Sequence, residues 1–214
     1  MIFHVGMNMK TKIKICGITN LDDALHAIDC GADAIGFIFY AKSSRYISLT
    51  HAKTIIKQLP PFINIVGLCV NADKEYVKQV IAIGVNIIQF HGDEDPIFCQ
   101  QFNFPYIKAI HSHNRQSIID AKDNYTDAKA ILIDTKSDSY GGTGKSFDWS
   151  IIPRNIESKL IIAGGLDAKN IKDLLTTHSP VAVDVCSGLE RQKGIKDHTK
   201  IKEFCQIVKG LYLS

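Results

Sequence analysis

Cys16 closes the apolar run Ile13-Lys14-Ile15, and Gly17 breaks the chain directly after it. A thiol in that place is either inert packing or, as a thiolate, a base. The ends of other apolar runs carry Asn71, His91 and Asp134, with Arg45 just beyond the second run. These side chains exchange protons or hold anions. Three segments are rich in glycine: Gly141-Gly-Thr-Gly-Lys145, Ala163-Gly-Gly-Leu166 and Cys186-Ser-Gly188. Glycine lets successive backbone N–H groups close on an anion, and a phosphate is the expected one.

The elements that must hold these groups follow from the pattern between them. Eight short runs rich in Ile, Val and Phe recur: Lys12–Cys16, Ala34–Tyr40, Ile63–Val70, Ile87–His91, Tyr106–Ile110, Ala130–Asp134, Leu160–Ala163 and Ala182–Cys186. Stretches of helical period follow most of them, over Leu21–Cys30, Leu49–Gln58, Lys74–Ile83, Pro96–Gln101, Arg115–Lys122, Ala168–Thr176 and His198–Lys209. After the sixth run only Asp148–Ile152 offers a short helix. Nearly all-apolar strands separated by helices imply a parallel sheet covered by helices. Eight units predict a single-domain (β/α)8 TIM barrel; the rival, an open doubly wound sheet, usually has about five or six strands.

In such a barrel the reacting groups sit where the strands end. Strand alternation puts Lys14 with Cys16, Gln89 with His91, and Asp184 with Cys186 on shared faces. If those faces point inward, closure brings the first strand beside the eighth, and Lys14 is expected to pair with Asp184 below the site. A buried charge without a partner would cost several kcal/mol.

The chain has 214 residues, 45% of them hydrophobic, which suits one domain with a full core. A net charge of +3 gives no case for nucleic acid or a membrane surface as partner. No apolar run is long enough to span a bilayer. Met1–Val5 is apolar but short and lacks a basic start, so residues 1–11 are expected to be a poorly ordered extension, with the catalytic barrel over 12–214. The six cysteines form no C-x-x-C pair and no zinc-like spacing. They are expected to be reduced thiols of a cytoplasmic protein without metal.

The ordered motifs resemble those of the phosphoribosylanthranilate isomerase family. They are Lys14-Ile-Cys-Gly-Ile-Thr19, Gly36-Phe-Ile-Phe-Tyr40 with Ser44-Arg-Tyr-Ile-Ser48, Gln89-Phe-His-Gly92, Leu132-Ile-Asp-Thr135, Gly141-Gly-Thr-Gly-Lys-Ser-Phe-Asp-Trp149, Ala163-Gly-Gly-Leu166 and Val183-Asp-Val-Cys-Ser-Gly-Leu-Glu190. The resemblance implies an Amadori rearrangement in tryptophan biosynthesis, with no cofactor and a small phosphorylated substrate. It implies a monomer or a homodimer. By motif match Cys16 stands at the general base, Asp134 at the general acid, and Arg45 where the substrate carboxylate is held. His91, Asp184 and the glycine-rich positions Gly142, Gly144, Gly164, Gly165, Ser187 and Gly188 complete the expected substrate-binding set. Two departures stand out: Cys186 replaces a usual serine, and Ala41 replaces a common proline.

Plainer readings compete at several positions. Cys30, Cys69, Cys99 and Cys205 read as core residues. Asp134 could cap the following loop, and Arg45 could be a surface cation. His91 either orients substrate or the rim, or bonds a neighbouring backbone, and Asp184 reads as supportive rather than as a proton carrier. Lys145 belongs at the loop surface, and His111 and His113 read as solvated loop. Another phosphosugar isomerase or epimerase, or a non-catalytic barrel that binds a phosphosugar, is the alternative function. Many epimerases need paired His and Asp metal ligands at strand ends, where only His91 is well placed.

Overall fold

The computed structural model describes residues 10–111, 114–134 and 149–211, with only the backbone of Ser158. Gly142, Gly144, Lys145, His113 and residues 1–9 of the expected extension lie outside the described residues.

Eight parallel strands close into a barrel in chain order: β1 (Lys12–Cys16), β2 (Ala34–Ile38), β3 (Asn64–Cys69), β4 (Ile87–Phe90), β5 (Tyr106–His111), β6 (Ala130–Asp134), β7 (Leu160–Ala163) and β8 (Ala182–Val185). β1 pairs with β8 in the register Lys14↔Asp184 and Ile15↔Val185, which closes the sheet. The bounds of β1, β6 and β7 match the apolar runs. The other ends differ by one or two residues, as where the chain leaves β2 after Ile38 and returns at Tyr46 to bridge it. Thr11, just before β1, is buried and donates its hydroxyl to Pro180 O.

The helices are α1 (Leu21–Asp29), α2 (Leu49–Ile56), α3 (Lys74–Ala82), α4 (Pro96–Gln100), α5 (Arg115–Asn124), α6 (Ile171–Thr177) and α7 (His198–Gly210). Their starts are written in the sequence. Asn20, Ser48, Asp73, Asp95, Asn114 and Asp197 each accept a backbone N–H of the first turn, relieving donors that no helical carbonyl reaches. α6 begins three residues later than its periodicity suggests. Asp167 Oδ1 accepts from the N–H groups of Lys169 and Asn170, so a side-chain turn occupies the segment first. Between β6 and β7 the described chain forms two 3₁₀ segments, Trp149–Ile151 and Arg154–Lys159.

Alternation divides the buried residues into two layers. Ile13, Ile15, Ile35, Phe37, Ile131, Ile133 and Val183 pack outward against the helices. Ile107, Ala109, Ala130, Leu132, Ile161 and Ala182 fill the barrel interior. Beyond β8 a two-stranded antiparallel hairpin, β9 (Glu190–Gln192) and β10 (Ile195–Lys196), turns through Gly194 in a left-handed conformation. The apolar pattern does not announce this hairpin, because its strands are mostly polar.

Candidate active site

A cavity of about 510 Å³ opens at the C-terminal ends of the strands, within the size usual for a small-molecule site. It gathers Cys16, Arg45, His91, Asp134, Asp184, Gly164, Gly165, Ser187 and Gly188 in its wall. The strand-end rule therefore brings together every described residue of the expected site.

Cys16 is the last residue of β1 and is 4% exposed. Beneath it Lys14 points into the barrel and donates to Asp184 Oδ1 at 2.9 Å, both side chains being buried. The expected pair is formed. Gly36, in register with Cys16 on β2, is what admits them. A Cβ there would stand 2.9 Å from Cys16 Sγ and 3.2 Å from Lys14 Nζ. Burial pushes the Cys16 thiol above its ordinary value; Lys14 and Lys196 pull it down, and Asp184 pushes it up. Lys14 is disfavoured as a cation by burial, yet Asp184 and Cys16 hold its ammonium above the usual lysine range. The cation beneath the thiol is thus permanent, but it offsets only part of what burial costs the thiolate.

Asp134 ends β6, three strands from β1 by way of β7 and β8. His91 Nε2 lies 3.4 Å from Asp134 Oδ2, and its Nδ1 is 2.9 Å from Gln89 Nε2. The ring thus lies between the Gln89 amide and the Asp134 carboxylate. His91 is therefore a neighbour of the acid rather than a backbone partner. His111 was expected in a solvated loop. It is exposed, but it lines the cavity mouth with its ring 5.6 Å from that of His91, because it continues the inward-facing phase of Ile107 and Ala109.

Arg45 is not a free surface cation. Glu190 takes its Nε at 2.6 Å and its Nη2 at 2.7 Å. Lys196, fully buried, donates to Glu190 Oε1 at 3.3 Å and to Cys186 O at 3.1 Å. Sequence reasoning missed Glu190 and Lys196 as parts of the site. The turn at Lys193-Gly194 after the polar pair Arg191-Gln192 was the available signal. Burial pushes the Cys186 thiol up to about 12, so it stands as a neutral neighbour of this cluster.

Gly164 and Gly165 after β7 have positive φ, the left-handed region that suits glycine. Ser187-Gly188 after β8 starts a 3₁₀ turn, and a Cβ on Gly188 would stand 2.0 Å from Leu166 O. Only glycine lets these two loops approach so closely. Among the described residues there is no cluster of three metal-ligating side chains and no helix long and apolar enough to cross a membrane.

The sequence pattern of the N-(5'-phosphoribosyl)anthranilate (PRA) isomerase family matches residues 13–207. The chain belongs to that family. It is 48% identical over 203 residues to the N-(5'-phosphoribosyl)anthranilate isomerase of Legionella pneumophila (strain Paris), covering 94% of this chain and 98% of that one. It is also similar to the crystal structure of phosphoribosyl anthranilate isomerase from Thermotoga maritima, with a TM-score of 0.86 and 42% identity over 94% of this chain and 99% of the other. A further family structure, in complex with reduced 1-(o-carboxyphenylamino)-1-deoxyribulose 5-phosphate, aligns with a TM-score of 0.83 and 38% identity, again over 94% and 99% of the two chains. The family's barrel accounts for the strand-end clustering of the polar residues, and the Cys186 and Ala41 departures leave Cys16 and Asp134 unchanged.

Proposed function

We propose that this chain converts N-(5-phosphoribosyl)anthranilate to 1-(2-carboxyphenylamino)-1-deoxyribulose 5-phosphate, an Amadori rearrangement of tryptophan biosynthesis that is an aldose-ketose isomerisation. The observation that carries the reading is the placement of Cys16 and Asp134 on well-separated strands around one cavity, with Arg45 and two glycine turns on the same wall.

Each group has a step. Asp134, as the carboxylic acid, gives a proton to the ribose ring oxygen; the C1–O bond breaks and the nitrogen lone pair forms the Schiff base. Cys16, as the thiolate, takes the C2 proton, and the electron pair of that C–H bond gives the enolamine. Gain of a proton at C1 and loss of the proton on O2 yield the ketone. Protons only are moved, so the net change is an isomerisation. Arg45 holds the substrate carboxylate through a fork of N–H donors. Backbone N–H groups around Gly164, Gly165, Ser187 and Gly188 receive the phosphate, the family's usual place for it in a barrel of this kind. His91 stands behind Asp134, and Asp184 acts through Lys14.

The test is to form phosphoribosylanthranilate in situ and follow the loss of its fluorescence. Cys16→Ala and Asp134→Ala are each expected to lower kcat by about 10²–10⁴-fold, the span of a positioned proton-transfer group. Full activity in either variant removes that residue from the mechanism. Wild-type protein that binds the ligand without turning it over would favour a non-catalytic phosphosugar-binding barrel.

A further inference from the structure

Arg45 does not meet the cavity as an isolated cation. Glu190 engages Nε and Nη2 in a fork, at 2.6 and 2.7 Å. A guanidinium has a second paired edge, between Nη1 and Nη2, and that edge is the one Glu190 leaves to another carboxylate. Yet an Arg–Glu pair is neutral, and a neutral pair attracts an anion weakly.

Lys196 changes that sum. Its side chain is 0% exposed, so no substrate can touch it. Its ammonium shares Glu190 Oε1 with Arg45 Nε and is anchored by Cys186 O. Glu190 lies on β9 and Lys196 on β10, so the hairpin sets the two opposite each other. Burial would push the Glu190 carboxyl up, but Arg45 and Lys196 hold it below its usual range, so it remains ionised. The cluster of one carboxylate and two cations then carries a net charge of +1, directed to the cavity through Arg45. Burying a lysine is costly, and an apolar side chain of similar volume would be easier to accommodate there if packing were its only duty.

We infer that Glu190 and Lys196 are positioning residues for a carboxylate subsite: Glu190 fixes the plane of Arg45, and Lys196 restores the positive charge that Glu190 cancels. The inference rests on the reading of Arg45 as the group that receives the substrate carboxylate.

Two probes separate charge from general packing: reduced 1-(o-carboxyphenylamino)-1-deoxyribulose 5-phosphate and the same compound without its ring carboxylate. Calorimetry should show wild-type protein preferring the carboxylated probe. In Lys196→Met that preference should shrink about tenfold, the scale of one weakened charge-assisted contact, while the decarboxylated probe binds as before. In turnover the same variant should raise KM more than it lowers kcat, and Lys196→Arg should rescue it. Glu190→Gln keeps an oxygen that accepts from Arg45 but removes the negative charge, so it should move the preference the opposite way. The double variant Lys196→Met/Glu190→Gln returns the cluster to a net charge of +1 and should return to the wild-type preference. Equal loss for both probes in Lys196→Met, or an unchanged preference in it and in Glu190→Gln, overturns the inference while leaving Arg45 in place. Wild-type protein that binds both probes alike, or neither, overturns the reading of Arg45 and this inference with it.

Discussion

Two lysines sit in nearly identical sequence settings, flanked by apolar residues within buried strands, and they do different things. Lys14 lies in Ile13-Lys14-Ile15 of β1, and Lys108 in Ile107-Lys108-Ala109 of β5. Both are buried and both pair with a buried carboxylate, Lys14 with Asp184 at 2.9 Å and Lys108 with Glu94 at 3.0 Å. Their phases differ. Lys14 shares its face with Cys16 and points into the barrel under the cavity. The flanking Ile107 and Ala109 occupy the interior, so Lys108 points the other way, into the helix layer. There it also donates to Gly92 O. Glu94 in turn accepts from the backbone N–H groups of Asn71 and Gly92, tying together the loops after β3 and β4. One pair lies beneath a thiol and the other braces loops; a shift of one residue along a strand separates the two placements.

Breaking each pair should expose that difference most strongly. Lys14→Met and Lys108→Met each strand a buried carboxylate, and each should cost about 3–5 kcal/mol in urea unfolding. Per folded molecule, Lys14→Met should also lose about tenfold in kcat/KM, because Cys16, the proposed base, loses the cation beside it. Lys108→Met should keep nearly wild-type kinetics. The double variant Lys14→Met/Asp184→Leu should regain most of the lost stability and none of the activity. Lys108→Met/Glu94→Leu should regain less, since it leaves the N–H groups of Asn71 and Gly92 without their acceptor. A large kinetic defect confined to Lys108→Met would break the comparison.

A pair of glycines sharpens it at smaller scale. A Cβ on Gly36 would meet Cys16 Sγ at 2.9 Å, whereas one on Gly67 would meet Val80 Cγ1 at 2.7 Å in the outer layer. Val80 is fully buried and stiff at χ1, so it cannot yield, while the Cys16 side chain borders the cavity and can turn toward it. Gly67→Ala should therefore lose about 1–3 kcal/mol of stability with unchanged turnover. Gly36→Ala should lose less stability but about tenfold in kcat, as expected for a displaced reacting group. Thermal unfolding and steady-state kinetics on the two variants would read both quantities.

Much of this arrangement was legible in the chain, for physical reasons that also mark where reading stops. The barrel follows from eight apolar runs, and the Lys14–Asp184 pair from strand parity plus closure. Glu190 and Lys196 escaped because their hairpin is polar and because Arg45 and Glu190 stand 145 residues apart. Nothing local links them. Lys108 escaped for a different reason: parity places it, but its partner lies in an irregular loop that carries no period. The thiol was harder still. The sequence supplies a cation near Cys16, which argues for an easily formed thiolate. Only the packed structure supplies the burial that opposes it.

That opposition gives the finest test. As the proposed base, Cys16 acts only after losing its proton, and burial sets its ionisation above the ordinary thiol value. In the free enzyme, which kcat/KM reports, the profile should be bell-shaped, because Asp134 must hold its proton while Cys16 has lost its own, and the raised thiol ionisation should set the alkaline limb. Lys14 lowers the thiol's ionisation and Asp184 raises it. The alkaline limb should therefore move to higher pH in Lys14→Met, move to lower pH in Asp184→Asn, and stay in place in Lys108→Met. The displacements should be modest, since Lys196 continues to pull the thiol down in all three. If the limb of Lys14→Met coincided with that of the wild type, the interior lysine would be a packing element like its counterpart on β5, and strand parity would have separated two positions without separating two functions.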